Sequence, residues 1–373
     1  MRFIHTADWQ IGKSFRRYGE KEANLRLARL DAIERIGAAA HENAAPFVLV
    51  AGDLFDHFAP SDRTALEAVA RMAKYAATKW FVIPGNHDPH RADGVWDRLQ
   101  ARGLPDNVRP LLAPEPCAAA PGAVILPAPL LRKSESRDLT EWWDAAPSES
   151  GAIRIGLAHG AISGFSSDQE ASNPVDPARV RSAGLDYMAL GDWHRTLKIG
   201  DRVWYSGTPE PDRHGSQQVG QALLVEIDAA GAVPSVRELV TGAYRWESRQ
   251  ARVEDEQAVM DLDSSLRALP DTFRTILRLE LFGALSLGVR AGLERRLGEL
   301  EASFFHLEAG LDALAARPTA DDFDAIDFDG VLRKAAERLR ERAVCAEITA
   351  AERKIAHHAL VELFLARDRS VAP

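Results

Sequence analysis

At 373 residues the chain is long for one hydrophobic core, so one large domain with a smaller appendage is expected. With 46% hydrophobic and 27% charged residues it has a soluble, globular balance, and no apolar run nears the ~20 residues of a membrane span, which excludes a membrane partner. Net charge −9 and a pI near 5.7 argue against coating nucleic acid by bulk electrostatics, yet leave room for bound cations and a local basic patch to meet phosphate. Two distant cysteines, Cys117 and Cys345, fit a reducing, cytoplasmic setting.

The first apolar strand, Phe3-Ile4-His5-Thr6-Ala7, ends at Asp8-Trp9-Gln10. Lys13, Arg16, Arg17 and Lys21 follow, a patch that reads as a solvated surface or, from its place beside Asp8, as a contact for DNA phosphate. Leu25, Leu27, Leu30, Ile33 and Ile36 mark a helix over about 22–44. Val48-Leu49-Val50-Ala51 ends in Gly52-Asp53, and Ser61 or Asp62 caps a helix that reaches Ala77. Phe81-Val82-Ile83 ends in Pro84-Gly85-Asn86-His87-Asp88. Residues 92–152 are irregular and Pro-rich, with Ala123-Val124-Ile125-Leu126 as their clearest strand. Two further apolar runs end at His159-Gly160 and at Gly191-Asp192-Trp193-His194.

Val203-Trp204-Tyr205 is a strand before the turn Ser206–Pro211, and Ala222–Ile227 with Ser235–Val240 reads as a hairpin. From about 251 the composition shifts. A helix (Glu254–Ala268), a strand (Arg274–Phe282), a helix (Val289–Leu300) and a strand (Phe304–Leu311) make a small α+β module. Ala315–Asp329 reads as a linker. The last helices, Val331–Val344 and Thr349–Leu365, carry apolar stripes that dock on their own domain or on a partner.

Apolar runs bounded by Gly and Asp read as buried parallel strands, and α/β sheets gather ligands at the carboxyl ends of such strands. Five ends supply Asp8, Asp53, Asn86, His159 and His194, with Gln10 and Asp192 beside them. Asp53 is the natural bridge between two cations; Asp8 and His194 complete one site, Asn86 and His159 the other. Carboxylate, amide and imidazole donors without thiolate suit Mn²⁺ or a similar octahedral ion. Two such ions about 4 Å apart clamp a phosphate ester for in-line displacement. His87 is free to contact the scissile phosphate and protonate the leaving oxygen, with Asp88 and Asp56 orienting it and the ligands. His5, inside a strand, reads as a satisfied core or supporting histidine, and Trp9 and Trp193 as packing residues.

Asp8-x-Gln10, Gly52-Asp53-x-x-Asp56, Gly85-Asn86-His87-Asp88, His159-Gly160 and Gly191-Asp192-x-His194 resemble the motifs of the calcineurin-like metallophosphoesterases. His5-Thr6-Ala7-Asp8-Trp9 followed by Ile11-Gly12, Gly52–Asp56 followed by Pro60-Ser61, and Tyr205–Glu210 are similar to the SbcD-type DNA repair nucleases. The resemblance covers about residues 1–245. It implies an α/β (α+β) fold: a two-sheet metallophosphoesterase sandwich flanked by helices at 1–245, a capping-like α+β domain at 251–315, and a partner-binding helix pair at 329–373. It also implies two divalent metal ions (Mn²⁺ first, Mg²⁺ as an alternative), a DNA exo/endonuclease, a homodimer, and an SbcC- or YhaN-like coiled-coil ATPase as partner.

The family usually has histidine where this chain has Gln10 and Asp192, one departure at each metal, as in a divergent YhaO-like branch. The neutral amide implies a loosely held first metal, and the added carboxylate a preference for harder ions at the second. Competing readings are a small-molecule or cyclic-nucleotide phosphoesterase, a protein phosphatase, and a weakly active subunit that binds DNA or an ATPase.

Overall fold

Short strands with alternating apolar side chains build this fold, because each sheet must be covered on both faces. The structure is a computed structural model that describes residues 1–163, 172–215, 218–319, 321–322 and 330–371. The chain divides into two compact units, Met1–Trp246 and Glu247–Pro373.

In the first unit, β1 (Arg2–Thr6), β2 (Phe47–Ala51), β3 (Lys79–Ile83) and β4 (Val108–Pro110) pair in parallel. A second sheet takes β5 (Cys117–Ala120), β6 (Ala123–Ala128) and β7 (Ile153–His159), while β8 (Ala161–Ile162) and β9 (Pro174–Val175) form a small separate ribbon. β10 (Tyr187–Gly191), β11 (Thr196–Gly200) and β12 (Val203–Ser206) complete the second sheet in the order β11-β12-β10-β7-β6-β5. The hairpin of β13 (Val219–Glu226) and β14 (Ser235–Val253) then returns to the first sheet, with β13 antiparallel to β1.

The period of two decides the layers. Phe3, Phe47, Leu49 and Phe81 face Ile125, Ile155, Leu157 and Tyr187 of the second sheet, and the Phe3 and Phe47 rings stack at 5.1 Å. The intervening residues Ile4, Val48, Val50, Trp80 and Val82 turn outward under α1 (Glu22–Glu42), α2 (Asp62–Ala73) and α3 (Val95–Arg102). Leu126, Met188 and Leu190 do the same on the far side, against Trp143, Leu185 and Ala183, which follows α4 (Arg179–Ser182). The result is a two-sheet sandwich with helical cover, the expected architecture.

Helix α2 begins as the sequence predicts, with the Ser61 hydroxyl accepting from Thr64 N at 3.1 Å. It stops at Ala73 rather than Ala77. Buried Asn107 is the reason: its amide donates to the carbonyls of Met72, Tyr75 and Thr78, holding a tight turn where the helix would continue.

His5 is a core histidine with both nitrogens paired: Nε2 lies 3.1 Å from the Leu190 carbonyl and Nδ1 3.0 Å from the Tyr187 hydroxyl. Burial lowers its pKa from 6.5 to about 3, so the neutral ring belongs to the folded state. The unfolded chain takes up the proton first as pH falls, so this contribution is present above pH 6.5 and is lost as pH approaches 3. The loss amounts to something on the order of 4 kcal/mol. His5→Gln is expected to flatten the dependence of the denaturant midpoint on pH between 6.5 and 3; an unchanged slope would exclude His5 as its source.

In the second unit, β15 (Thr275–Leu285) and β16 (His306–Ala316) pair in parallel, with α5 (Glu256–Arg267) and α6 (Leu287–Glu301) contributing to one core. The C-terminal helices are α7 (Val331–Val344) and α8 (Ala350–Val371). They bury part of their stripe at home, where Leu360, Val361 and Phe364 pack with Ala336 on Leu287 and Ala291. The expected linker is partly structured. β16 runs into it, and Asp322 accepts from the Leu287 and Gly288 amides, capping α6; residues 320 and 323–329 lie outside the described residues.

Candidate metal centre

The carboxyl ends of β1, β2, β3, β7 and β10 converge. Asp8, Asp53 and His159 offer ligand atoms within 4.8 Å of one another, all three buried. His159 Nε2 lies 3.5 Å from Asp53 Oδ1 and 3.7 Å from Asp192 Oδ1. Asn86 Nδ2 donates to the same Asp192 oxygen at 3.0 Å. His194 Nε2 lies 3.8 Å from Asp8 Oδ1.

Local backbone is strained to achieve this. Asp8, Gln10, Asp53 and Asp192 have φ of 55°, 44°, 52° and 96°, values that cost a non-glycine residue about 1–3 kcal/mol and cluster at functional sites. Glycines give the room. A Cβ on Gly52 would stand 2.3 Å from His159 Nδ1, and one on Gly85 2.2 Å from Asp53 Oδ1.

Around Asp53 and Asp192, the buried atoms Asn86 Oδ1 and His159 Nε2 lack hydrogen-bond partners, as does His194 Nδ1 nearer Asp212. His159 Nδ1 donates to the Ala51 carbonyl at 2.8 Å, which fixes the tautomer and leaves Nε2 as a lone-pair donor. An amide oxygen and an imidazole lone pair beside Asp53 and Asp192 are the donors a divalent cation takes, so this half of the centre fits a metal. The electrostatics agree. Burial opposes protonation of His159, but Asp53, Asp8 and Asp192 outweigh it and lift its pKa to about 9, so without a metal Nε2 carries a proton whose place a bound cation would take. Burial raises the Asp8 carboxyl to about 6 against the pull of His194 and His159.

The other half is furnished differently from expectation. Gln10 Oε1 accepts from Lys13 Nζ at 2.8 Å, and its Nε2 lies 3.3 Å from His194 Nε2. Lys13 also pairs with Asp212 at 2.9 Å and Asp56 at 3.4 Å, so its charge is engaged within the protein. Arg16 and Arg17 are exposed, and the Arg17 guanidinium lies over the Tyr18 ring at 4.7 Å.

His87 and its neighbours also differ in detail. Its Nδ1 pairs with the Asp56 carbonyl at 2.8 Å, not with a carboxylate, and its Nε2 lies 3.9 Å from Asp53 Oδ2. Asp88 does not touch the His87 ring: its oxygens accept from Gly85 N at 2.7 Å and Phe55 N at 3.0 Å, joining the loops after β2 and β3. Burial first, then the charge of Asp53, raises the Asp88 carboxyl to about 7. Trp9 is buried and donates to Thr6 Oγ1, as a packing residue should, whereas Trp193 is 46% exposed and does not pack as expected.

Residues 1–196 match the Calcineurin-like phosphoesterase family. The chain belongs to that family. Among curated relatives of this phosphoesterase, the DNA double-strand break repair protein Mre11 of Methanopyrus kandleri is 25% identical over 91% of this chain and 77% of its own length. The SbcCD nuclease subunit of Rhodobacter capsulatus is 26% identical over 63% of this chain and 68% of its own. The Bacillus subtilis protein of the same name is 24% identical over 56% and 61%. Family and relatives together make the chain a metal-dependent phosphodiesterase.

Three residues support this phosphoesterase centre, and of them only Glu210 lies within a sequence motif, Tyr205–Glu210. Asp212 places Oδ1 3.6 Å from His194 Nδ1, close enough for its charge to bear on the ring; its pKa lies below the ordinary range because the neighbouring His194, Arg29 and Lys13 overcome burial. Buried Arg29 donates to the carbonyls of Trp9 and Glu210, tying the loop after β1 to the turn after β12. Glu210 in turn accepts from the amides of Ala243 and Tyr244. Arg29 left a different signal, a charged residue on the apolar stripe of Leu25, Ile33 and Ile36.

Proposed function

We propose that this phosphoesterase is a divalent-metal-dependent DNA nuclease that processes DNA ends, with Mn²⁺ as its working ion. The observation that carries the reading is the placement of His87. With Nδ1 tied to the Asp56 carbonyl, Nε2 stands 3.9 Å from the buried Asp53 carboxylate, on a side chain 37% exposed. That suits a residue that contacts the scissile phosphate and delivers a proton to the leaving oxygen.

Asp53, Asn86, His159 and Asp192 would hold a cation, with Asp8 and His194 beside them toward a second position. Bound there, divalent ions supply Lewis acidity and neutralise charge on the phosphoryl oxygens. The relatives' printed names, a break-repair protein and a nuclease subunit, support DNA as the substrate and a multi-subunit assembly. The exposed Arg16 and Arg17 are the proposed contacts to the DNA backbone. In this reading the second unit is a capping-like domain, the protein is a homodimer, and the exposed apolar residues Val331, Leu332, Val344 and Ile355 of α7 and α8 face a coiled-coil ATPase.

The test is cleavage of end-labelled linear and hairpin DNA with Mn²⁺, Mg²⁺ or EDTA. Cutting with Mn²⁺ and none in EDTA is expected, and His87→Ala should reduce kcat by roughly 10²- to 10⁴-fold with Mn²⁺ content unchanged. Hydrolysis of p-nitrophenyl phosphodiesters without any cutting of DNA would overturn the nuclease assignment in favour of a small-ester phosphodiesterase.

A further inference from the structure

The two halves of the metal centre are unequal in a way that the exchange of histidine for glutamine does not by itself produce. On the side of Asp53, Asn86, His159 and Asp192, two buried donors, Asn86 Oδ1 and His159 Nε2, have no partner. On the side of Asp8, Gln10 and His194, the atoms that would face a cation, Gln10 Oε1 and His194 Nε2, are already engaged, while His194 Nδ1 on the far edge of the ring has no hydrogen-bond partner. Lys13 Nζ donates to Gln10 Oε1 at 2.8 Å. An ammonium has no lone pair, so the amide oxygen must face it and the amide NH₂ must face His194 Nε2, 3.3 Å away. Gln10 therefore shows a cation at this position hydrogen atoms, and it covers the His194 lone pair with the same group. His194 Nδ1 then carries the proton and faces Asp212 Oδ1 at 3.6 Å.

Lys13 is held there by its surroundings. Asp212, whose side chain is fully buried, pairs with it at 2.9 Å, and Asp56 adds a longer contact at 3.4 Å. Its own side chain keeps 25% exposure, which leaves a path outward along the flexible stem.

We infer that Lys13 is a resident cation that competes with one of the two divalent ions: the ion at Asp53, Asn86, His159 and Asp192 binds tightly, and the ion at Asp8 and His194 binds only as the Lys13 ammonium leaves Gln10 and the amide turns its oxygen inward. This rests on the metal-dependent reading above and deepens it, since it gives the second position a built-in gate. A phosphodiester entering the cleft supplies anionic oxygens that can draw the ammonium away, so loading of the weak position is coupled to the arrival of substrate.

The experiment is metal binding, not activity. Purified protein is dialysed against graded Mn²⁺, bound metal is counted per chain, and low-temperature EPR separates isolated Mn²⁺, with its resolved hyperfine sextet, from an exchange-coupled pair. The wild-type protein should hold one isolated Mn²⁺ per chain over a wide range of concentration before a second binds. Lys13→Met should strengthen the second event by about 10- to 100-fold, the size of a charge-assisted hydrogen bond removed from competition, and give the coupled signal at low Mn²⁺. Gln10→His, which leaves Asp212 and Lys13 paired, should do so as well and guards against a Lys13→Met chain that fails to fold.

Two Mn²⁺ bound with equal affinity in the wild type, or a second event unmoved in both folded variants, would overturn the gate while leaving the metal-dependent phosphodiesterase intact. No Mn²⁺ bound by folded protein at any concentration would overturn both.

Discussion

Asp53→Ala is expected to abolish hydrolysis, with kcat lowered on the order of 10³-fold or more, and to release the bound metal. One carboxylate serves three purposes. Asp53 Oδ1 stands 3.5 Å from the unpartnered Nε2 of His159 and accepts the His87 amide at 2.8 Å, while Oδ2 lies 3.9 Å from His87 Nε2. Truncation removes the charge that holds a cation, and the hydrogen bond that seats the loop carrying Asn86 and His87. Asp53→Asn separates the two effects: its amide oxygen can still accept from the His87 N–H, so the loop is kept and the charge lost. Measured Mn²⁺ content and kcat should fall together in both variants, with near-normal stability in Asp53→Asn. Full metal content in Asp53→Ala would remove Asp53 from the ligand set.

Asp88→Ala is expected to cost stability first and activity as a consequence. Its carboxylate is wholly buried, and the Gly85 and Phe55 amides that it satisfies have no water to turn to. Two stranded N–H groups cost roughly 2–6 kcal/mol together. The same two bonds join the loop after β2 to the loop after β3, so Asp53 and Asn86 lose their mutual placement when the carboxylate goes. Denaturant titration should show the large loss in Asp88→Ala and almost none in His87→Ala, although the two residues are adjacent. Equal stability of the two variants would mean that Asp88 acts on the reaction rather than on the loops.

The strand ends were legible because each carries its own punctuation. Gly52-Asp53, Gly85-Asn86 and Gly191-Asp192 follow apolar runs too short for helices, and the glycines are needed where His159, Asp53 and the Ala51 carbonyl come within about 2 Å of a would-be Cβ. The sandwich followed from the same runs, since strands buried on both faces need cover on both. What stayed hidden was long-range pairing of charge. Lys13, near Arg16 and Arg17 in sequence, looked like one member of a basic patch, but Asp212 lies 199 positions away and nothing in the local pattern of either residue announces the other. Asp88 was visible as part of a motif and still misread, because its partners are backbone amides, which have no sequence signature. Asn107 shortened α2 by the same means.

The tie between His5 and Tyr187 spans 182 positions, and that between Gln10 and His194 spans 184. Contacts of such separation form only after the large entropy of closing the intervening chain has been met, so they come late in folding. A nascent chain can assemble β1, β2 and β3 under their helices well before β10 leaves the ribosome, yet Asp8 then lacks His194. The chemistry of this protein is therefore silent through most of its synthesis and begins only when the second sheet closes over the first.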